Sequence, residues 1–90
     1  MKKSEREYCR RVVELNCIAC RKIGFYDTPA EIHHITNKTM GKKSSHQDII
    51  PLCPYHHRLS NESIHLSPKT FISKFGTQKE LLEQVKTMLG

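Results

Sequence analysis

The chain has 90 residues, of which 37% are hydrophobic, and its formal net charge is +6 at pH 7. A domain of this size hides only about 60% of its unfolded surface, and its apolar content is below the roughly 45–50% usual for globular domains, so core burial gives marginal stability. The apolar stretches are far shorter than the roughly 20 residues that a membrane-spanning helix needs, and the positive charge favours an acidic partner such as nucleic acid.

Five of the first seven residues are charged, and the segment leads into no apolar stretch, so we expect no secretory signal. Disulfides are then not expected, and the cysteines are interpreted as thiols or metal ligands. The chain holds four cysteines and six histidines. Metal binding can therefore supply the stability that the small core lacks.

Residues 4–16 are predicted to form the first helix. Ser4 and Glu7 match a capping box, in which the serine caps backbone N–H groups and the glutamate reaches back. Tyr8, Val12 and Leu15 then recur at helical spacing. These three apolar side chains are predicted to pack on one side of the core.

Two short strands are predicted in the middle of the chain, after a tight turn at residues 17–20. Residues 31–35 form the first strand and residues 48–52 the second, with a polar loop between them. Pro51 cannot donate to a strand ladder and so marks the end of its strand or an edge of the sheet.

Three helices are predicted in the second half. The first begins at Pro54 and runs to residue 60, and the next begins at Pro68 and runs to residue 75, where Gly76 ends it. Thr77 and Glu80 form a second capping box before the last helix. The apolar stripe of that helix is interpreted as core; it consists of Leu81, Leu82, Val85, Met88 and Leu89.

Two pairs of residues have the spacing of zinc knuckles, Cys17-x-x-Cys20 and Cys53-x-x-His56. One tight turn aims both side chains of such a pair at one ion, and a structural zinc needs four ligands with no open position. The pattern predicts a Cys3His zinc site, with a redox-active or merely buried pair as the alternatives. Cys9 lies outside either pair and is predicted to be a packed or idle thiol rather than a ligand.

The histidines around these pairs predict a second metal site. His33 and His34 are adjacent on a strand and face opposite ways, so one can bind a metal while the other activates a water. On a helix, His57 points about 100° away from His56. A strand histidine and a helix histidine thus predict an open metal site, and no role is assigned to His46.

Such a site suits the hydrolysis of a phosphodiester. A divalent ion neutralises the charge that develops on the phosphate, and an imidazole, with an ordinary pKa of about 6.5, can take the proton of water at neutral pH. Basic residues near the site are the candidates for DNA phosphate contacts. They are Lys38, Lys42, Lys43 and Arg58.

These residues resemble the ββα-metal motif of the HNH endonucleases, in which a strand carries the general-base histidine and the following helix carries metal ligands. The matching pieces are His33-His34-Ile35 and residues 50–57. More narrowly, the chain is similar over residues 14–89 to the Ref (recombination enhancement function) group of phage RecA-dependent nucleases. The narrower likeness rests on residues 29–35, Met40-Gly41, Pro51-Leu52-Cys53, His56-His57, Ile64-His65, Phe71 and Phe75-Gly76.

The resemblance implies a role for each matched residue. His34 matches the general base, His33 matches a ligand of the catalytic ion, and His57 and His65 match the remaining ligands. The spacing from His57 to His65 is longer than the one helical turn usual in the motif, so Asn61 is a rival ligand.

Asp48 stands where many HNH sequences carry an asparagine that braces the loop, so the resemblance gives it a bracing role. The resemblance also implies Mg²⁺ or Mn²⁺ as the catalytic ion, DNA as the substrate and a RecA-type recombinase filament as a partner. The expected location is the cytoplasm of a bacterial or phage-infected cell, with no membrane association and a link to recombination.

We therefore predict one α+β domain over residues 1–90, with a zinc-stapled ββα-metal core at about residues 17–66 flanked by helices at 4–16 and 68–89. The predicted function is that of a metal-dependent HNH DNA endonuclease. The alternative is a non-catalytic zinc-finger module that binds DNA or a protein. A thiol oxidoreductase is a weaker alternative, because it leaves Cys53 and His56 unexplained.

Overall fold

A computed structural model of the protein describes residues 3–35 and 48–90. Its described elements form a small mixed α+β fold around one two-stranded antiparallel sheet. In chain order the elements are α1 (Lys3–Glu14), α2 (Ile18–Lys22), β1 (Glu31–His34), β2 (Ile49–Leu52), a π-helix (Tyr55–Leu59), α3 (Pro68–Phe75) and α4 (Gln78–Leu89). Within the described ranges, no helix has the length and apolar character needed to cross a membrane.

Helix α1 is displaced from its predicted range at both ends. It begins at Lys3, so Ser4 lies inside the first turn rather than at its cap. It ends at Glu14 because Asn16 adopts the left-handed backbone conformation, with φ of 66°, which asparagine tolerates better than most residues. The Asn16 side-chain amide then donates to the carbonyl of Tyr26 at 3.0 Å, which ties this corner to the loop before β1.

The prediction of a simple tight turn at residues 17–20 was wrong, because a short helix occupies this segment. Cys17 is the N-cap of α2, and the backbone N–H of Cys20 points at its Sγ at 3.4 Å. The backbone N–H of Cys17 in turn donates to the carbonyl of Thr28 at 2.9 Å. These bonds hold both cysteines where the chain leaves α1 for the sheet.

Strand β2 lies at the centre of the fold, and all four of its residues are buried. It pairs with β1 in the register that places Glu31 opposite Leu52 and His34 opposite Ile49. Helices α1, α2 and α4 contact it. Pro51 lies inside the strand rather than at its end, and a two-stranded sheet tolerates it because each strand has one edge without a ladder partner.

The core is completed by the two C-terminal helices. The predicted capping box of α4 is confirmed, since Thr77 and Glu80 exchange both side-chain-to-backbone bonds. Leu81 and Val85 of its apolar stripe are buried, but Met88 is 37% exposed, so only part of the predicted stripe belongs to the core. Gly76, with φ of 103°, ends α3 as predicted and directs the chain into α4.

Candidate metal centres

Three buried cysteines and one buried histidine lie close together. They are Cys17, Cys20, Cys53 and His56, and their ligand atoms all lie within 4.8 Å of one another. The first pair comes from the start of α2, and the second spans the end of β2 and the start of the π-helix. All four cysteines of the chain are free thiols, with no disulfide among them.

The spacing of these atoms fits a tetrahedral zinc ion. Zn–S bonds of about 2.3 Å and Zn–N bonds of about 2.0–2.1 Å place tetrahedral ligand atoms about 3.6–3.8 Å apart. The Nδ1 of His56 lies 3.8, 3.4 and 3.3 Å from the Sγ atoms of Cys17, Cys20 and Cys53. The Sγ atoms of Cys20 and Cys53 are 3.7 Å apart. This cluster can therefore hold a metal ion such as zinc.

Burial governs the protonation of this cluster. It raises the pKa of Cys17 to about 12 and raises that of Cys20, while it lowers the pKa of His56. The histidine is therefore held neutral, as a ligand must be, whereas the two thiols must lose protons when a metal binds. The ring of His56 also packs edge-on against Phe75, with centroids 5.1 Å apart, which fixes its orientation.

A reversal of the chain after the π-helix brings a second set of histidines together. The Ser60 hydroxyl donates to the carbonyl of Tyr55 at 2.7 Å, and the Ser63 hydroxyl donates to the carbonyl of Ser60 at 2.6 Å. The chain then returns beside the helix, so that the backbone N–H of His65 donates to the carbonyl of His57 at 3.2 Å. This turn accounts for two neighbouring histidines that are eight residues apart in sequence.

His33, His57 and His65 form this second group, and one nitrogen of each lies within 4.8 Å of the others. Their ring centroids are 4.7–5.2 Å apart, and the Nε2 atoms of His57 and His65 are separated by 3.0 Å. His33 is 7% exposed, His57 is half-buried and His65 is exposed. The group can hold a metal ion and, unlike the cysteine cluster, has one side open to solvent.

Glu31 supports this group and was not predicted from the sequence. Its Oε1 accepts from Nδ1 of His57 at 2.6 Å and from Nε of Arg58 at 2.8 Å. These bonds, first from Arg58 and then from His57, hold the pKa of Glu31 below its usual range. A signal was present, since Glu31 and His33 are two residues apart on β1 and therefore share a face.

Gln78, the first residue of α4, was also missed. Its Oε1 lies 2.9 Å from Nε2 of His33. Burial lowers the pKa of His33, the contact with Gln78 opposes that shift, and the nearby His57 and His65 add to it. The balance holds His33 in the neutral form in which an imidazole binds metals.

The other predicted site residues are dispersed. His34 is exposed on β1, next to the buried His33. Asn61 is exposed in the turn after the π-helix. The backbone carbonyl of Asp48 accepts from the backbone N–H of Ile35, which extends the strand pairing. Burial raises the pKa of Tyr8, and the negative charge of Asp48 adds to that shift.

The predicted phosphate contacts are only partly within the described residues. Lys38, Lys42 and Lys43 lie outside them, as does His46. Arg58 is exposed, and its Nε and Nη2 both donate to Glu31, at 2.8 and 3.3 Å. Cys9 is partly buried against the core, as predicted for a packed thiol.

Comparison with known proteins identifies the family. The family model described as recombination enhancement, RecA-dependent nuclease, matches residues 2–90. No curated protein matches the chain. Because the match spans nearly all of the 90 residues, the chain belongs to the family of RecA-dependent nucleases of recombination enhancement.

Proposed function

We propose that the protein is a metal-dependent DNA endonuclease of the HNH type, which hydrolyses phosphodiester bonds and acts in recombination together with a RecA-type filament. The observation that carries the proposal is the contrast between the two metal-binding groups. The cysteine cluster is closed and buried, which suits a structural ion, whereas the histidine group is open on the side of His65. A catalytic ion needs such an open position for its substrate.

The order of elements supports the HNH assignment. Two paired strands lead directly into a short helix, and the candidate ligands come from the first strand, from that helix and from the segment that follows it. In this proposal His33, His57 and His65 hold the catalytic Mg²⁺ or Mn²⁺. Such an ion would neutralise charge on the phosphate and stabilise the leaving oxygen.

His34 is the proposed general base. Adjacent strand residues face opposite sides, so His34 is directed to solvent while His33 is directed to the histidine group. An exposed imidazole can meet a water molecule and take its proton. Among the described residues, His34 belongs to neither metal-binding group, so the proposal does not require it to bind an ion as well.

The positive charge of the chain supports DNA as the substrate, because phosphate contacts supply most of the sequence-independent affinity of such proteins. Lys38, Lys42, Lys43 and Arg58 remain the proposed contacts. Arg58 already pairs with Glu31. It can contact DNA only if a phosphate displaces Glu31 or binds the same guanidinium beside it.

A nuclease assay across DNA forms tests the proposal. The zinc-loaded protein is incubated with supercoiled plasmid, linear duplex and single strands in Mg²⁺ or Mn²⁺, with and without a RecA filament. Cutting that depends on the added ion is the expected result. The His57→Ala variant should lose at least about 100-fold in rate and bind the second ion more weakly, while its zinc content is unchanged. The proposal fails if no DNA form is cut under any of these conditions.

Metal stoichiometry separates this proposal from the zinc-finger alternative. A binding module requires only the buried cysteine cluster, so it would hold one zinc ion tightly and have no second divalent site. The nuclease requires a second, weaker site that the His57→Ala change removes. Titration of Mn²⁺ into protein loaded with one equivalent of zinc, followed by electron paramagnetic resonance of the free ion, distinguishes them.

The Glu31→Gln variant should weaken binding of the second ion by about 10–100-fold, because a carboxylate that accepts from the far nitrogen of a ligand imidazole orients the ring and raises its basicity. Arg58→Met is the matched control, since it removes the Glu31–Arg58 ion pair but leaves the bond from His57. Equal losses of Mn²⁺ affinity in the two variants would show that the ion pair, and not the contact with His57, is what matters.

A further inference from the structure

The contact between Gln78 and His33 joins two distant parts of the chain. Gln78 opens α4, whereas His33 lies on β1, 45 residues earlier. The contact distance of 2.9 Å is that of a full hydrogen bond, and it is partly buried. It uses Nε2 of His33, so Nδ1 is the ring nitrogen that remains for another partner.

Helix α4 does not need this side chain for its own stability. Thr77 and Glu80 cap the helix by exchanging hydrogen bonds with each other's backbone. Gln78 stands at the first helical position, where a side chain makes no capping bond of this kind. Its amide is therefore available to His33, and loss of the amide need not fray the helix.

The chemistry of a neutral imidazole links this contact to metal binding. One ring nitrogen carries a hydrogen and the other carries a lone pair, and the partner of the first determines the lone pair's position. When Nε2–H donates to Oε1 of Gln78, the lone pair is on Nδ1. If the Gln78 amide were turned over, its NH₂ group would donate to Nε2 of His33. The ring hydrogen would then be on Nδ1, and that atom could not bind a metal.

We propose that Gln78 is a positioning residue that holds His33 in the Nε2–H tautomer and so selects Nδ1 as its metal-binding atom. The inference rests on the proposed function insofar as His33 binds the second ion. It adds a residue outside the strands and the π-helix to that site. Because Gln78 belongs to α4, the metal site then also requires that α4 be packed beside β1.

Nuclear magnetic resonance of the ring nitrogens tests the tautomer directly. Long-range ¹H–¹⁵N spectra are recorded on protein loaded with one equivalent of zinc, before any second ion is added. The parent protein should show a protonated Nε2 and an unprotonated Nδ1 on His33. Gln78→Leu should shift His33 to a mixture of tautomers, and Gln78→Glu, which keeps an acceptor at the same reach, should restore the parent pattern.

Mn²⁺ affinity, measured on the same proteins, gives the second readout. Gln78→Leu should lose about 10–100-fold in affinity, as expected for the outer partner of a ligand histidine, and Gln78→Glu should recover it. Gln84→Leu is the matched control, because Gln84 is an exposed residue of the same helix. That variant should resemble the parent protein in both measurements.

The outcomes distinguish the inference from the proposed function. A parent His33 protonated on Nδ1, or an unchanged Mn²⁺ affinity in Gln78→Leu, overturns the role of Gln78 and leaves the nuclease proposal intact. A parent protein that binds no second ion overturns the proposed function and the inference together. Loss of affinity in Gln78→Leu that Gln78→Glu does not rescue indicates a structural effect and also overturns the inference.

Discussion

The His34→Ala protein is expected to lose about 100- to 10,000-fold of the nuclease activity of the parent, because removal of a general base leaves the attacking water without a proton acceptor. His34 is exposed on β1 and takes no part in either group of candidate ligands. The change should therefore act on the chemical step alone. The initial rate of plasmid relaxation in saturating Mn²⁺ measures it.

Metal binding provides the control for this experiment. The His34→Ala protein should hold zinc and bind the second ion as the parent does, whereas His57→Ala should lose both second-ion affinity and cutting. The two variants thus separate the base from the ligands. If the His34→Ala protein cuts as fast as the parent, another group or the solvent accepts the proton and the assignment of His34 is wrong.

Removal of zinc is expected to unfold the domain and not only to abolish its activity. Structural zinc contributes about 10–16 kcal/mol of apparent binding free energy in zinc-finger peptides, which is of the same size as the roughly 5–15 kcal/mol by which most domains are stable. The cluster joins α2, β2 and the π-helix, so its loss releases three elements at once. Circular dichroism after chelation, with zinc content verified, should show a large loss of helicity.

The four cysteines supply a matched pair of variants for this prediction. Cys53→Ser removes one ligand of the cluster and should prevent folding at ordinary zinc concentrations. Cys9→Ser changes a free thiol on α1 that is only partly buried, and its thermal unfolding should stay close to that of the parent. Full helicity in verified zinc-free protein would show that the apolar core is sufficient by itself.

Local sequence was enough to predict those features that depend on residues close together in the chain. The capping box of Thr77 and Glu80, the stop at Gly76 and the two short strands all follow from preferences within a few residues. The two pairs Cys17/Cys20 and Cys53/His56 belong to the same class, because three residues of separation already orient both ligands. Two kinds of prediction failed. The end of α1 was placed too late, because the left-handed conformation of Asn16 ends the helix early, and residues 17–20 were predicted as a turn where the helix α2 forms.

Family resemblance supplied what spacing could not, namely the prediction that His57 and His65 belong to one group of candidate metal ligands. The turn at Ser60 and Ser63 explains how they meet, since it folds the chain back along the π-helix. No rule of helical spacing predicts such a reversal, because it depends on side-chain hydroxyls that bond to carbonyls already placed by the helix. The turn is therefore the structural reason that His65 lies beside His57.

The sequence by itself determined the ligand types, the two knuckle pairs, the α+β class and the positive charge of this protein. Tertiary structure alone decided the surroundings of the histidine group. Glu31 reaches His57 across 26 residues, and Gln78 reaches His33 across 45. Such contacts exist only after β1, the π-helix and α4 have packed around the same buried strand, because burial and geometry, not local preference, select which polar side chains meet.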